Sequence, residues 1–171
     1  KAVAFLQREI KEEVARAKRE KHTIYIGTAH LNYLYIRALL NQPADETTRL
    51  LTKLALKQAP TATMDFKALL AVVLQKTGDK KEAKTLRESL KEHTVSTPAF
   101  GRYFDTQRTR FSSQWYRIPA QVATIEALRA SGNAADEKVA DEMRLWLMQS
   151  KRTQMWQASR TSADAVYALL A

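Results

Sequence analysis

Three times along this chain an apolar run with helical spacing is cut by a short turn and then resumes. The run His30 to Leu40, with Leu31, Leu34, Tyr35, Ala38 and Leu39, stops at Asn41-Gln42-Pro43, and Leu50, Leu51, Leu54 and Ala55 carry on beyond it. Phe66 to Thr77 breaks at Gly78-Asp79 and resumes in Lys80 to Glu92 through Ala83, Leu86 and Leu90. Pro119 to Ala130 breaks at Ser131-Gly132-Asn133 and resumes in Ala134 to Gln149 through Val139, Met143, Trp146 and Leu147. Apolar residues three and four apart mark one-sided helices, so each run, break and run predicts an antiparallel helical hairpin. Before the first pair, Val3, Leu6, Ile10, Val14 and Ala17 predict an amphipathic helix over Lys1 to Lys21, joined by a connector containing Thr23 to Gly27. After the third, a helix from Ser162 to Ala171 would open a fourth pair.

Local propensity agrees with this pattern. Only four glycines and four prolines occur in 171 residues, and alanine, leucine, lysine, glutamate, glutamine and arginine favour helix almost throughout. Strands have little support, and Thr94 to Ile118 reads as a loop that lengthens the spacing between the second and third pairs. Pro43 suits a first helical turn, with Asp45 and Glu46 complementing the dipole. Asp79 with Glu82 and Thr161 with Asp164 match the spacing of a capping box, so helices are expected to start at both places. Stacked hairpins fit either a superhelical array or an α/α toroid with inner and outer layers. The unequal gaps, and the lack of the glycine and tyrosine positions of tetratricopeptide repeats, count against the array.

Most chemistry is hard to build from what the chain contains. It has no cysteine, which removes disulfides, thiolate zinc sites and cysteine nucleophiles. His22, His30 and His93 are scattered, with no spacing that pairs two imidazoles on one helix face, so they read as solvent-facing or capping residues. Asp45, Asp65, Asp79, Asp105, Asp136, Asp141 and Asp164 never cluster as a diphosphate-ionising site requires, and no nucleophile elbow or phosphate-binding glycine loop is present. The chain is therefore expected to be non-enzymatic, with no cofactor and no metal. The longest apolar run, Ala68 to Leu74, is far shorter than the roughly 20 residues of a membrane-spanning helix.

The carboxyl-terminal residues carry a more specific signal. From Trp146-Leu147 through Gln149-Ser150-Lys151-Arg152 to Trp156, then Ser159, Ser162, Ala163, Ala165 and Ala168-Leu169-Leu170, the segment resembles the thioester-containing helical domain of α2-macroglobulins and complement components. Lys67-Ala68-Leu69-Leu70-Ala71 leading to Thr77-Gly78 and then Ser89-Leu90 is similar to that family's preceding hairpin, and Pro119 to Leu128 to its next inner helix. Lys1-Ala2-Val3-Ala4-Phe5-Leu6 and Tyr33-Leu34-Tyr35-Ile36-Arg37 look closest to the bacterial, Bacteroidetes-type branch. Two features depart from the pattern. Ala158 stands where vertebrate members tend to have serine, and the Cys-x-Glu-Gln thioester is not in this chain; in the family it lies amino-terminal to the helices matched here.

The resemblance implies an all-α fold, antiparallel hairpins forming an incomplete α/α toroid of the terpenoid-cyclase kind, with residues 1–171 a single helical domain cut from a larger multidomain protein. It implies a non-catalytic part in endopeptidase inhibition by trapping, in which a protease cuts a bait region and is then entrapped. The implied partners are other domains of the same polypeptide and, through the parent, target proteases. The implied location is periplasm or cell envelope, with a lipoprotein or membrane-anchored parent.

Charge adds one candidate surface. Lysine and arginine exceed aspartate and glutamate by 28 to 18, a formal net charge of +10, which asks for an anionic partner. Arg102, Tyr103, Arg108, Arg110 and Trp115 interleave cations with aromatics, a combination that can stack on single-stranded nucleic acid. The remaining basic residues are interspersed with glutamate, so no specific nucleic acid is expected, and an anionic envelope surface or acidic neighbouring domains would answer the charge equally well. Trp115, Trp146 and Trp156 invite a ligand-platform reading, but Trp146 and Trp156 fall beside helix termini, where large aromatics are expected to close the packing between hairpins. The alternative function is a generic helical-repeat scaffold that binds protein or nucleic acid.

Overall fold

The computed structural model describes residues 2–105, 109–111, 116–153 and 159–170. Its helices are α1 (Ala2–Glu20), α2 (Thr28–Leu39), α3 (Glu46–Gln58), α4 (Met64–Thr77), α5 (Lys80–Glu92), α6 (Arg117–Arg129), α7 (Ala134–Thr153) and α8 (Ser159–Leu170), with a 3-10 turn at Ala59–Thr61 after α3. The three predicted breaks are real, and each holds a residue in the left-handed region: Asn41 (φ 49°), Gly78 (φ 98°) and Gly132 (φ 70°). Glycine enters that region without a Cβ penalty and asparagine tolerates it, so the chain reverses there and the next helix runs back along the last.

The helices divide by burial into two layers. Helices α4 and α6 are apolar on almost every side: Phe66, Ala68 and Leu70 through Leu74 are buried in α4, and Val122, Ala123, Ile125, Ala127 and Leu128 in α6. A helix of that kind needs neighbours all round it. They are provided by a row in which α2 packs on α4, α4 on α6 and α6 on α8. Against this row lie the charged helices: α3 on α2, α5 on α4 and α7 on α6. Two apolar clusters result. Ile10, Val14, Leu34, Leu51, Leu70 and Leu74 belong to one, and Met64, Phe104, Ile125, Met143, Trp146 and Leu147 to the other. Helix α4 contributes to both and joins them.

The inner row is bent. The Tyr35 hydroxyl of α2 donates to Oε1 and Oε2 of Glu126 in α6, 2.9 Å to each, although α4 packs between those two helices. Helices pack with axes about 8–10 Å apart, so a flat row would hold α2 and α6 about 16–20 Å apart with α4 filling the space between these side chains. The row must therefore curve, with Tyr35 and Glu126 on its concave side. The charges of Tyr167 and Asp164 in α8 add slightly to the effects that disfavour ionisation of Tyr35.

Four expectations need correction. Thr94–Thr97 (β1) and Gly101–Phe104 (β2) form an antiparallel hairpin, with Thr94 opposite Phe104 and Thr97 opposite Gly101, inside the stretch read as loop. β-branched Thr94, Val95 and Thr97 supply the strand propensity, and contact with α7 supplies the burial that two short strands lack on their own. Gly101 makes that contact possible: at φ +71° a Cβ would stand 2.3 Å from the Glu142 carbonyl oxygen. Pro43 lies outside α3, whose N-cap is Asp45, accepting from the Thr48 N–H at 2.8 Å. Asp79 does precede α5 but makes no capping bond. Its ψ of 56° is far from the extended ψ of 178° that lets Asp45 reach back to its helix. The helix expected to start at Ser162 begins at Ser159.

Candidate functional site

Of the five residues of the candidate surface, Arg108 and Trp115 lie outside the described residues. Arg102, on β2, donates from Nε to Glu142 Oε2 at 2.8 Å and from Nη1 to Thr94 Oγ1 at 3.0 Å. The Arg102 bond is the first reason that the Glu142 carboxyl sits below the usual carboxylate range. Tyr103 stacks on Trp146, ring centres 6.0 Å apart and planes at 25°. Arg110 has an exposed side chain, and its carbonyl accepts from the Met64 N–H at 2.9 Å. The cation that completes the cluster is Arg117, the last arginine of the same basic aromatic stretch and the first residue of α6. Its guanidinium lies 4.6 Å from the Trp146 ring centre and 5.8 Å from that of Tyr103, and burial pushes its pKa down. Trp146 is itself buried, as expected of a residue that closes the packing between hairpins.

This arrangement turns Tyr103 and Phe104 of the basic aromatic stretch inward and leaves Tyr116 exposed. Phe104 is fully buried and meets Phe111 edge to face at 5.8 Å. Gln121 of α6 donates from Nε2 to the Arg102 carbonyl at 2.7 Å and so ties the hairpin to the inner row. Base stacking needs an exposed aromatic face, and the faces of Tyr103 and Trp146 are taken up by each other and by Arg117.

The histidines do local work. His22 is exposed beside Glu20. His93 follows α5, with Nδ1 2.7 Å from the Ser89 carbonyl. His30 is buried in the first turn of α2, where Nδ1 accepts from the Gly27 N–H at 3.2 Å and so fixes the proton on Nε2. That Nε2 lies 3.2 Å from Glu13 Oε2 but is poorly aligned for a hydrogen bond. Among the described residues no three or more of His, Asp and Glu gather in a way that could hold a metal ion.

Two further groupings stand out. On the concave side of the inner row, burial raises the Glu126 carboxyl, and the bond from Tyr35 only partly offsets it. Burial first, then the Glu126 charge, push the Tyr35 hydroxyl well above its ordinary value. A phenol so hard to ionise beside a carboxylate holds its proton and acts as a latch between α2 and α6. Sequence spacing could not pair residues 91 apart in the chain.

In the outer layer, neighbouring helices are joined by ion pairs in two places. Lys11 and Lys18 of α1 reach Asp45 and Glu46 at the start of α3. Arg87 and Lys91 of α5 hold Asp136 of α7 at 3.0 and 2.8 Å. Between α3 and the turn from α4 to α5, by contrast, there is an open groove of about 530 Å³. No family model matches the chain, and neither does any curated protein or solved structure.

Proposed function

We propose that this chain is a non-catalytic helical body of a bacterial α2-macroglobulin-like protein, an arc of an α/α toroid that serves in protease trapping. The bend of the inner row, measured by the Tyr35 to Glu126 bond across α4, supports an arc over a straight stack. In this reading α2, α4, α6 and α8 form the inner layer and the charged α3, α5 and α7 the outer one, the order that a toroid requires, supported by the packing of α2 on α4, α4 on α6 and α6 on α8. The Trp146-Leu147 to Leu170 segment supplies the likeness to the family. In this reading the chain does no chemistry. It is a rigid surface on which other domains of the same polypeptide rest until a protease cuts the bait region and they rearrange around it. The place of action is periplasm or cell envelope.

The test uses the full encoded protein incubated with a broad-specificity endopeptidase. A trap shields the captured protease from large substrates while small ones still enter. Cleavage of a folded protein substrate should therefore fall, while cleavage of a short chromogenic peptide continues. Unchanged cleavage of the protein substrate overturns the proposal. The 171-residue chain alone is expected to leave both substrates unaffected, and stoichiometric inhibition by it would refute a purely structural part.

A further inference from the structure

The groove on the outer layer is cationic along one wall and carries no counter-charge of its own beyond one carboxylate. Arg49, Lys53 and Lys57 follow one another at four-residue spacing on α3, so they share one face, and all three line the groove with Thr52 and Leu56 between them. All three cations are exposed, and among the described residues none of them makes an ion pair. Arg49 donates instead to the Ala44 carbonyl at 2.9 Å. The only acid within α3 is Glu46, which is turned to Lys18 of α1, and the N-cap Asp45 is occupied by Lys11, Arg37 and Thr48. Among the described residues the one carboxylate across the groove is Asp79, and its chain neighbour Lys80 is a further exposed cation without an ion pair to any of them. Like charges at this spacing repel one another along a helix. Some cations elsewhere are matched from another element: Asp136 of α7 meets Arg87 and Lys91 of α5, and Glu142 of α7 meets Arg102 of the β-hairpin.

We infer that the groove between α3 and the α4 to α5 turn docks an acidic, amphipathic segment of a protein partner, with its carboxylates on Arg49, Lys53 and Lys57 and its apolar face on Leu56 and the methyl of Thr52. The inference is independent of the trapping proposal, because it needs only the surface of this chain. Charge complementarity selects an anionic occupant. The lining selects peptide over single-stranded nucleic acid, since no aromatic ring lines the groove to stack a base, whereas an apolar floor under a row of charges at helical spacing is what a helix in a groove meets.

The test is fluorescence anisotropy with the full 171-residue chain and a labelled synthetic helix carrying glutamate at every fourth position and leucine on the adjacent face. The glutamate peptide should bind, weaken with added salt, and lose at least tenfold in affinity to the R49E/K53E/K57E variant. A variant with the same change in net charge placed elsewhere, R16E/K21E/K138E, should change affinity no more than about twofold. The milder K53Q/K57Q variant should lie between wild type and the triple reversal, and circular dichroism should show all of them folded. Three outcomes overturn the proposal: no binding of the peptide at low salt, equal losses in the two triple variants, or an oligothymidine probe binding as tightly as the peptide with the same dependence on Lys53 and Lys57.

Discussion

Around the β-hairpin and along α3 the chain places similar numbers of cations, and it uses them in opposite ways. Arg102 is bound to Glu142 and Thr94, and Arg117 lies over the Trp146 and Tyr103 rings. Arg49, Lys53 and Lys57 line an open groove, and no carboxylate among the described residues is bound to any of them. The density of basic residues in a sequence therefore says little about where positive charge is available. Of the aromatic stretch that looked most like a binding surface, Arg102, Tyr103, Phe104 and Arg117 are spent on ion pairing and packing and Arg110 is exposed, while the plain lysines of α3 stay free to meet a partner. If this is right, substitutions near the hairpin should cost stability, and substitutions on α3 should cost binding alone.

The largest effect is expected at Trp146, which is 8% exposed and carries both Tyr103 and Arg117 on its ring. Trp146→Ala should cost about 3–5 kcal/mol in urea unfolding, and a loss under about 1 kcal/mol would mean that the hairpin cluster is surface after all. Next comes Gly101→Ala. Its Cβ would overlap the Glu142 carbonyl oxygen at a positive φ, adding steric crowding to backbone strain, for about 2–4 kcal/mol. Near-UV circular dichroism should report the loosening of Trp146 in the same variant.

Asp136 tests the paired cations by pH. Burial acts to raise its carboxyl, but bonds from Lys91 and Asn133 outweigh that and hold it below the ordinary aspartate range. A carboxylate whose pKa is lowered by folding binds fewer protons in the native than in the unfolded chain. Its contribution is therefore complete above about pH 4–5 and is lost as pH falls through the native pKa. Asp136→Asn, which leaves Arg87 without its counter-charge, should cost about 2 kcal/mol at pH 7, and the gap between wild type and variant should shrink as the pH drops below 4. Asp45, brought down to about 2 by its bonds from Thr48 and Lys11 against the opposing pull of burial, should behave in the same direction. A gap that widened in acid would contradict both assignments.

The smallest effect is expected where the comparison is sharpest. Lys53→Gln with Lys57→Gln should move unfolding stability by less than about 0.5 kcal/mol, in the stabilising direction, because like charges four residues apart are removed. A loss of 1 kcal/mol or more would show that these lysines are part of the fold in the way Arg117 is.

Local physics made the helices legible. Period and propensity gave α5 with its observed limits and the other helices to within a few residues, and Asn41, Gly78 and Gly132 marked reversals that need a left-handed residue. The hairpin at Thr94 to Phe104 was missed because strands this short are stabilised by α7, which lies far off in the chain. The resemblance to α2-macroglobulins also came from residue order in the sequence, and the trapping proposal rests on it together with the bend.

What the sequence by itself determined, then, is a set of one-sided and all-apolar helices joined by reversals, because those depend on neighbours three or four residues apart. Which helix faces which, and with it the fate of every charged side chain, was decided only by tertiary structure. Tyr35 meets Glu126 across α4, Arg87 meets Asp136 across the outer layer, and Arg117 finds Trp146. Each pairing depends on the curvature of the inner row and the register of the outer one, which arise when apolar faces from distant parts of the chain pack together. No periodicity encodes them.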